Sequence, residues 1–468
     1  MSEQNQEKTF RDKISTVSSE GSRVWVHCKK PKGKLYNYRS VFAYLLLLFL
    51  ILAPILKVGG EQMILLDVLG RRFILFGIIF WPQDFYLFYL IMLSAIVFIT
   101  LFTVVYGRLF CGWACPQTVF LEFVFRKIEW LIDGNPTKQK RLAAQGWTFE
   151  KIWKRLLKHS LFWGLSFFFS NVFLAYLIGF DELMKIASEP ISEHLTGFIA
   201  ISIFSTAYYF IYAWFREQVC TLMCPYGRLQ GVLLDKSSII VAYDEYRGEP
   251  RGLANKAEKE AGTTKGDCIN CRQCVDVCPT GIDIRDGSQL ECINCTACID
   301  ACNAVMTRIN KPTGLIRYDS VTNMETGQKL KLTGRNVAYS IVLILILVFA
   351  SVMFFTRPIV ETTILRTPGM TYQVQENNEL SNIYNFKIVN KANEDIPIEI
   401  KLLEPDYGKI IITGDILLKY NTKTEGIIVV YINKDNIKQK KIKLRFGIFK
   451  GAEMLEDYVT TFTGPEIK

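Results

Sequence analysis

Five stretches of nearly continuous apolar residues, at about 40–57, 85–107, 160–180, 195–215 and 337–355, interrupt an otherwise mixed chain of 468 residues. Each approaches the roughly 20 residues that a helix needs to cross a bilayer. The shorter run FILFGIIFW (73–81) cannot span alone and reads as an interfacial or outer hairpin piece. After the last long run the texture changes. NIYNFKIVNK, IPIEIKLL, KIIIT, EGIIVVYINK and KIKLRFGIF alternate, or run, in β-branched and aromatic residues between Asn, Gly, Asp and Pro. That pattern predicts short antiparallel strands forming a sandwich of immunoglobulin-like size. No cysteine pair accompanies it, so the expectation concerns architecture alone. The fold class expected is therefore a multi-domain membrane protein with a five-span α-helical part, a cysteine-rich soluble part and a C-terminal β-sandwich.

Charge orients these spans. The arm at 1–39 carries nine Lys/Arg and the 107–159 loop ten, against three in 57–84 and Lys185 alone in 181–194. The bias of basic residues toward the cytoplasm then places the N-terminus inside, and an odd number of spans places the C-terminal domain outside. The arm lacks the apolar core and small-residue cleavage site of a signal peptide, so the first helix reads as an uncleaved anchor. Although the formal charge is +10, its excess flanks apolar segments, and no basic patch interleaved with aromatics points to nucleic acid. All thirteen cysteines occur by residue 302, none in the predicted outer loops or the C-terminal domain. A disulfide framework would show the opposite distribution. The expected division is a basic arm (1–39), a four-span membrane domain (40–215), a cytoplasmic ferredoxin-like domain (216–336) with a flexible lead-in at 247–267, a fifth helix (337–355) and a periplasmic β-domain (356–468).

The strongest chemical signal is CINCRQCVDVCP at 268–279 followed by CINCTACIDAC at 292–302, both reading C-x₂-C-x₂-C-x₃-C. This is the spacing of bacterial two-cluster ferredoxins, in which three close thiolates hold one [4Fe–4S] cubane and the fourth comes from the other motif. Cys268, Cys271, Cys274 and Cys302 are expected at one cluster, and Cys292, Cys295, Cys298 and Cys278 at the other. Pro279 follows the ferredoxin pattern, while Asn303 stands where a second proline is expected. Paired CxxC motifs can also hold zinc, but the doubled, cross-ligating pattern favours iron–sulfur. Two adjacent clusters serve to pass single electrons.

A different motif occurs twice at span ends: CGWACP (111–116) and CTLMCP (220–225), matching cysteines being 109 residues apart. The spacing places Cys111 and Cys115, and Cys220 and Cys224, each on one helical face, and the following prolines suit the first turn of a helix. A helix start is expected to lower thiol pKa and make good metal ligands. If the two halves pack pseudo-symmetrically, the four thiols converge, and could hold Cu(I), another soft metal or a cluster, or cycle between dithiol and disulfide. The plainer alternative is four small buried side chains. Met223 offers another sulfur, though packing is its ordinary use. His27 and Cys28 in the arm, and His159 and His194 near span ends, form no ligand pattern. No C-x-x-C-H supports covalent haem, and no glycine fingerprint supports a nicotinamide cofactor. Arg247 and Arg251 in RGEPRG are expected to be solvated or to meet carboxylates or anionic lipid.

In the order GRLFCGWACPQTVF, REQVCTLMCPYGRLQ, YDEYRGEPRG, GDCINCRQCVDVCPTGIDIRDG, ECINCTACIDAC and KPTGLIRY, the chain resembles the CcoG/FixG/RdxA family, accessory proteins of cbb3-type cytochrome c oxidase. The resemblance implies a multi-pass protein of the bacterial inner membrane that serves assembly of the copper-containing oxidase. It implies reduction of cupric to cuprous ion for delivery, with oxidase subunits or copper transport proteins as partners beside membrane lipid, and with the electron donor left open. Cys111, Cys115, Cys220 and Cys224 then become the expected copper-handling residues. Two rivals remain at this stage: a quinol dehydrogenase, and a non-enzymatic scaffold for the oxidase.

Overall fold

The computed structural model describes residues 15–18, 20–68, 70, 72–80, 85–234, 236–253, 265–327, 334–356, 360–369, 371–375, 378–390, 395–414, 417–419 and 422–465. The first 14 residues of the arm, Trp81 of the short apolar run and residues 254–264 of the expected lead-in lie outside the described residues. The chain divides into two compact units, the larger holding most of the region before Phe349 and the smaller the C-terminal domain with part of the segment between the first two long helices.

In the larger unit the first long helix, α1 (Lys34–Leu52), starts before the apolar run does. Its extra turn is fixed from outside, because Asp300 accepts the backbone N–H of Tyr36 at 2.8 Å and of Leu35 at 3.3 Å. An acceptor at a helix start satisfies N–H groups that have no partner within the helix. Helix α2 (Phe85–Tyr106) follows the predicted second span closely. The stretch after it is broken into α3 (Leu109–Trp113), α4 (Pro116–Phe120), a π-helical turn (Leu121–Phe125) and α5 (Arg126–Ile132). The third long helix, α6 (Phe149–Ile178), is 30 residues long and begins well before the apolar run, where Thr148 accepts the N–H of Lys151. Its polar first turns concealed it from a reading of hydrophobicity alone. Helix α7 (Leu195–Phe210) ends in π-helical turns at Ile211–Phe215 and Val219–Met223, before α8 (Pro225–Leu233). Among the described residues five helices, counting α11 below, are long and apolar enough to cross a membrane.

Two kinds of packing bind these helices. Aromatic rings join the segment after CGWACP to the third and fourth spans: Phe125 stacks on Tyr212 with centroids 4.6 Å apart, and Phe120 meets Phe169 edge-on at 4.7 Å. Beside them lies a buried ion network. Arg216 donates to both oxygens of Glu129, at 2.6 and 2.8 Å. Arg126 binds Glu122 and reaches Glu217 at 3.4 Å, and Lys158 reaches Asp133 at 2.7 Å. Burial pushes the Glu129 carboxyl up, but Arg216 and Lys158 outweigh it and hold the group at about 2. Gln117 also donates to the carbonyl of Arg216 at 3.1 Å. The network therefore ties the segment following the first CxxxCP motif to the residues preceding the second.

The cysteine-rich part packs on the same unit. Strand β1 (Ile240–Tyr243) pairs antiparallel with β2 (Ile316–Asp319), placing Val241 opposite Tyr318. Helices α9 (Gln273–Asp276) and α10 (Ala297–Arg308) lie in the intervening sequence. Ile282, Ile284, Ile299, Met306, Leu315 and Ile316 close an apolar core around the cysteines. The fifth long helix, α11, covers Gly334–Phe355.

In the smaller unit, part of the short apolar run folds as a hairpin, Arg72–Leu75 pairing with Ile78–Phe80, as its length led one to expect. The C-terminal domain is a two-sheet sandwich. One sheet has the order β6 (Lys409–Thr413), β7 (Lys423–Asn433), β4 (Glu379–Asn390), β3 (Val360–Arg366), and the other the order β5 (Glu399–Glu404), β8 (Lys441–Lys450), β9 (Glu453–Thr463). Alternate residues Tyr384, Phe386, Ile428, Val430, Leu444, Phe446 and Phe462 fill the space between. The Tyr384 hydroxyl crosses to donate to the Thr461 carbonyl at 2.9 Å. The first and last strands were absent from the sequence reading: VETTILR spends its alternation on Glu and Thr, and in the last strand only Phe462 is buried.

Replacing Glu129 by Gln leaves the buried Arg216 guanidinium without its bidentate partner. Breaking such a pair costs about 3–5 kcal/mol, so E129Q should unfold well below the wild type in a detergent thermal melt. A change below about 1 kcal/mol, the worth of an exposed pair, would show that the network does not hold the two segments together.

Candidate metal centres

The eight ferredoxin-type cysteines separate into two cavities that cross the sequence motifs. One is lined by Cys274, Cys278, Cys292, Cys295 and Cys298. The other is lined by Cys268, Cys271, Cys274 and Cys302. Cys274 borders both, and with it assigned to the second, each cavity takes three cysteines from one motif and the last from the other. The two loops repeat one backbone device: Asn270 and Arg272 in the first, and Asn294 and Thr296 in the second, all have φ between 52° and 65°. Alternating left-handed residues turn successive N–H groups toward one concavity, which suits an anionic centre. Backbone N–H groups of Asn294, Ala297 and Ile316 accordingly favour the thiolates of Cys292, Cys295 and Cys302. The buried Asn294 Nδ2 has no acceptor among the described residues. Burial, with repulsion from neighbouring cysteines adding to it, pushes Cys274 and Cys292 up to about 12 and Cys295 and Cys302 to about 11, a cost that ligation to a metal removes. Donor type, number and wall chemistry all fit a [4Fe–4S] centre in each cavity.

The two CxxxCP motifs also converge. Each of the six pairs among Cys111, Cys115, Cys220 and Cys224 is close enough to perturb ionisation. Cys115 and Cys224 occupy the residue before their helices, with Pro116 and Pro225 in the first turn. Gly227 N–H donates to Cys224 Sγ at 3.4 Å, and N–H groups of Thr118 and Gln117 favour the Cys115 thiolate. Cys111 Sγ donates to Gln230 Oε1 at 3.2 Å. The expectation of lowered thiol pKa is corrected, however. Burial dominates, raising Cys115, pushing Cys111 to about 11 and Cys220 to about 12, with mutual repulsion adding to it. The helix start at Cys115 offsets part of this cost without reversing it.

CGWACP lies directly on the cysteine-rich domain. A Cβ on Gly112 would strike the Ile293 carbonyl oxygen and approach the Asn294 carbonyl carbon and oxygen to 2.9 Å. Cys111 packs against the apolar group of Val277, Ile293, Cys295 and Ala297. The middle of the first CxxxCP motif therefore touches the loop between Cys292 and Cys295. Only glycine permits that approach.

Other sequence candidates have separate fates. Met223 is exposed. His27 meets Gln139 at 3.1 Å, and Cys28 is buried against the Arg126 side. His159 hydrogen-bonds Tyr209 at 2.8 Å, whereas His194 pairs with Glu189, so the two histidines share no centre. Arg247 and Arg251 meet carboxylates, Asp267 and the pair Glu249 and Asp286 respectively. The sequence reading missed Gly112, Gln230 and buried arginines, among them Arg39, Arg108, Arg216 and Arg126. A signal did exist for the last: Glu122, Arg126 and Glu129 stand at the spacing of one helical face in a run that is otherwise aromatic and aliphatic but for Lys127.

Comparison with known proteins agrees with this layout. The profile of a 4Fe-4S dicluster domain matches residues 215–321, that of a 4Fe-4S binding domain residues 87–135, and that of the IG-like fold at the C-terminal of FixG residues 350–465. Protein RdxA of Cereibacter sphaeroides is 37% identical over 345 residues, covering 72% of each chain. Protein RdxB of the same organism is 35% identical over 345 residues, covering 71% of each. Nitrogen fixation protein FixG of Rhizobium meliloti is 35% identical over 278 residues, 59% of this chain and 53% of that one. A crystal structure of a FixG-related protein from Vibrio parahaemolyticus aligns with 23% of this chain and 97% of its own at 12% identity and a TM-score of 0.19, which is too low to bear on the fold. The chain belongs to the FixG/RdxA family and is a membrane iron–sulfur electron-transfer protein.

Proposed function

We propose that this protein reduces cupric ion to cuprous ion at the site formed by Cys111, Cys115, Cys220 and Cys224, for delivery to a copper-containing oxidase of the cbb3 type during its assembly. The observation that carries this reading is the convergence of four thiols on a motif that touches the Cys292–Cys295 loop through Gly112. When bound by Cys268, Cys271, Cys274 and Cys302, and by Cys278, Cys292, Cys295 and Cys298, the two [4Fe–4S] centres supply one-electron carriers. One electron gained by Cu²⁺ gives Cu⁺, matching that supply without a second electron or an oxygen atom.

The remaining work falls to the chain itself. Soft thiolates prefer cuprous to cupric ion, so ligation by the tetrad favours the reduced product. Backbone N–H groups at Cys115 and Cys224 stabilise thiolate while the metal is held. Gln230 orients Cys111 through its side-chain oxygen. All four cysteines are half-buried, which limits access by water. The basic arm and the 107–159 loop support a cytoplasmic position for the thiols and the cysteine-rich domain, with the sandwich on the periplasmic side. Membrane lipid, and oxidase subunits or copper carriers, are the partners this reading requires.

Serine in place of all four thiols should abolish cupric reduction by anaerobically purified protein while leaving about eight iron atoms per chain, the content of two cubanes. Undiminished reduction in that variant would remove the tetrad from the reaction. The Gly112 contact makes a separate expectation. G112V must push the Ile293–Asn294 backbone away, so single-turnover oxidation of the pre-reduced protein by cupric ion should slow at least tenfold with iron content retained. An unchanged rate would show that electrons do not cross at this contact.

A further inference from the structure

The two cysteine cavities differ in the charge around them. Beside the Cys268–Cys302 cavity, Arg285 is neutralised by Asp283, whose oxygens it meets at 2.8 and 2.6 Å, and Arg247 by Asp267. Arg272 is exposed there, next to the exposed Cys271, and water and salt screen its charge. Beside the other cavity, Arg126 reaches the Pro279 carbonyl at 3.3 Å, next to Cys278, but carries Glu122 and Glu217 with it. Asp300 spends its charge on the first N–H groups of α1.

Arg39 and Arg108 are different. They are 1% and 4% exposed, and no carboxylate pairs with either among the described residues. Arg39 Nε donates to the Gly112 carbonyl at 2.6 Å, directly over the Ile293–Asn294 contact, and its Nη2 is buried without an acceptor. Arg108 donates to the carbonyls of Leu290, two residues before Cys292, and of Gly227, and its Nε is likewise buried without one. Around the same loop, Trp113 Nε1 and Asn294 Nδ2 are further buried donors without acceptors. Two positive charges that no carboxylate pairs with among the described residues, together with a set of N–H dipoles, thus lie beside the loop that lines one cavity.

We propose that Arg39 and Arg108 are positioning residues that raise the reduction potential of the centre held by Cys278, Cys292, Cys295 and Cys298 above that of the centre held by Cys268, Cys271, Cys274 and Cys302, directing electrons from the exposed Cys271 face toward CGWACP. This rests on the ligand assignment above, but not on copper. Reduction adds one negative charge to a centre already anionic through its thiolates. Burial opposes that addition, and nearby fixed cations favour it. The low dielectric that makes burial costly also strengthens each arginine's attraction, and paired arginines at the other centre offer no such net charge.

The test is a potentiometric titration of the full-length, iron-loaded protein without copper, followed by electron paramagnetic resonance of the reduced centres. The wild type should show two midpoints. R39Q and R108Q should each lower the upper midpoint and leave the lower one in place, the reduced-to-oxidised ratio at fixed potential falling about tenfold, about 59 mV for one electron. R39K and R108K keep the charge and should stay near the wild type, separating charge from packing. R285Q should move the lower midpoint instead. An upper midpoint unmoved by both glutamine variants, a shift confined to the lower one, or lysine variants that fall as far as the glutamine ones would each overturn the proposal. Fewer than about eight irons, or one centre only, in the wild type would instead refute the ligand assignment on which it rests.

Discussion

The arrangement depends on one buried electrostatic contact, the bidentate pair between Arg216 and Glu129, with Arg126 and Glu217 beside it. Neither CxxxCP motif alone supplies more than two thiols. The pair joins the helix that leaves the first motif to the residues that enter the second, and the thiols converge because those segments are held together. A surface pair would contribute little, but here both partners are almost wholly removed from water, so each is stable only in the other's presence. Arg216 also has a positive φ, 52°, uncommon for a residue with a side chain. It sits where two π-helical turns succeed one another, and such turns often mark sites where function sets local geometry.

From that joint the site extends by close approach rather than by further charge pairs. Gly112 lets CGWACP rest on the loop between Cys292 and Cys295, so the membrane-edge thiols and one iron–sulfur cavity share a wall. The other cavity is nearer solvent, with Cys271 exposed. An outer centre, an inner centre and a thiol site therefore follow in sequence. Asp300 contributes at a distance: by capping α1 it anchors the cysteine-rich helix to the first span, and Arg39, one turn further along α1, is delivered to Gly112.

Much of this was legible from the chain. The cross-lining of the two cavities follows from C-x₂-C-x₂-C-x₃-C, because short loops leave the backbone few ways to present three thiols. The approach of Cys111 and Cys115 to Cys220 and Cys224 was anticipated from the repeated motif, and the sandwich from its alternating strands. What escaped was whatever depends on partners remote in sequence. The early starts of α1 and α6 come from Asp300 and Thr148, not from apolar periodicity. The thiol ionisation was misjudged because a helix start is visible in CP while the depth of burial is not. Arg39 and Arg108 look like ordinary basic residues flanking membrane spans, and only the folded chain shows that they point inward.

The central claim, that four thiols from two distant motifs form one copper site, is tested most directly by X-ray absorption at the copper edge. Anaerobic, pre-reduced protein given one equivalent of cupric ion should show a cuprous edge and a coordination shell made of sulfur, drawn from both motifs, so that C115S and C224S each lose part of it. A cupric edge, or a shell of nitrogen and oxygen unaffected by both substitutions, would contradict the account.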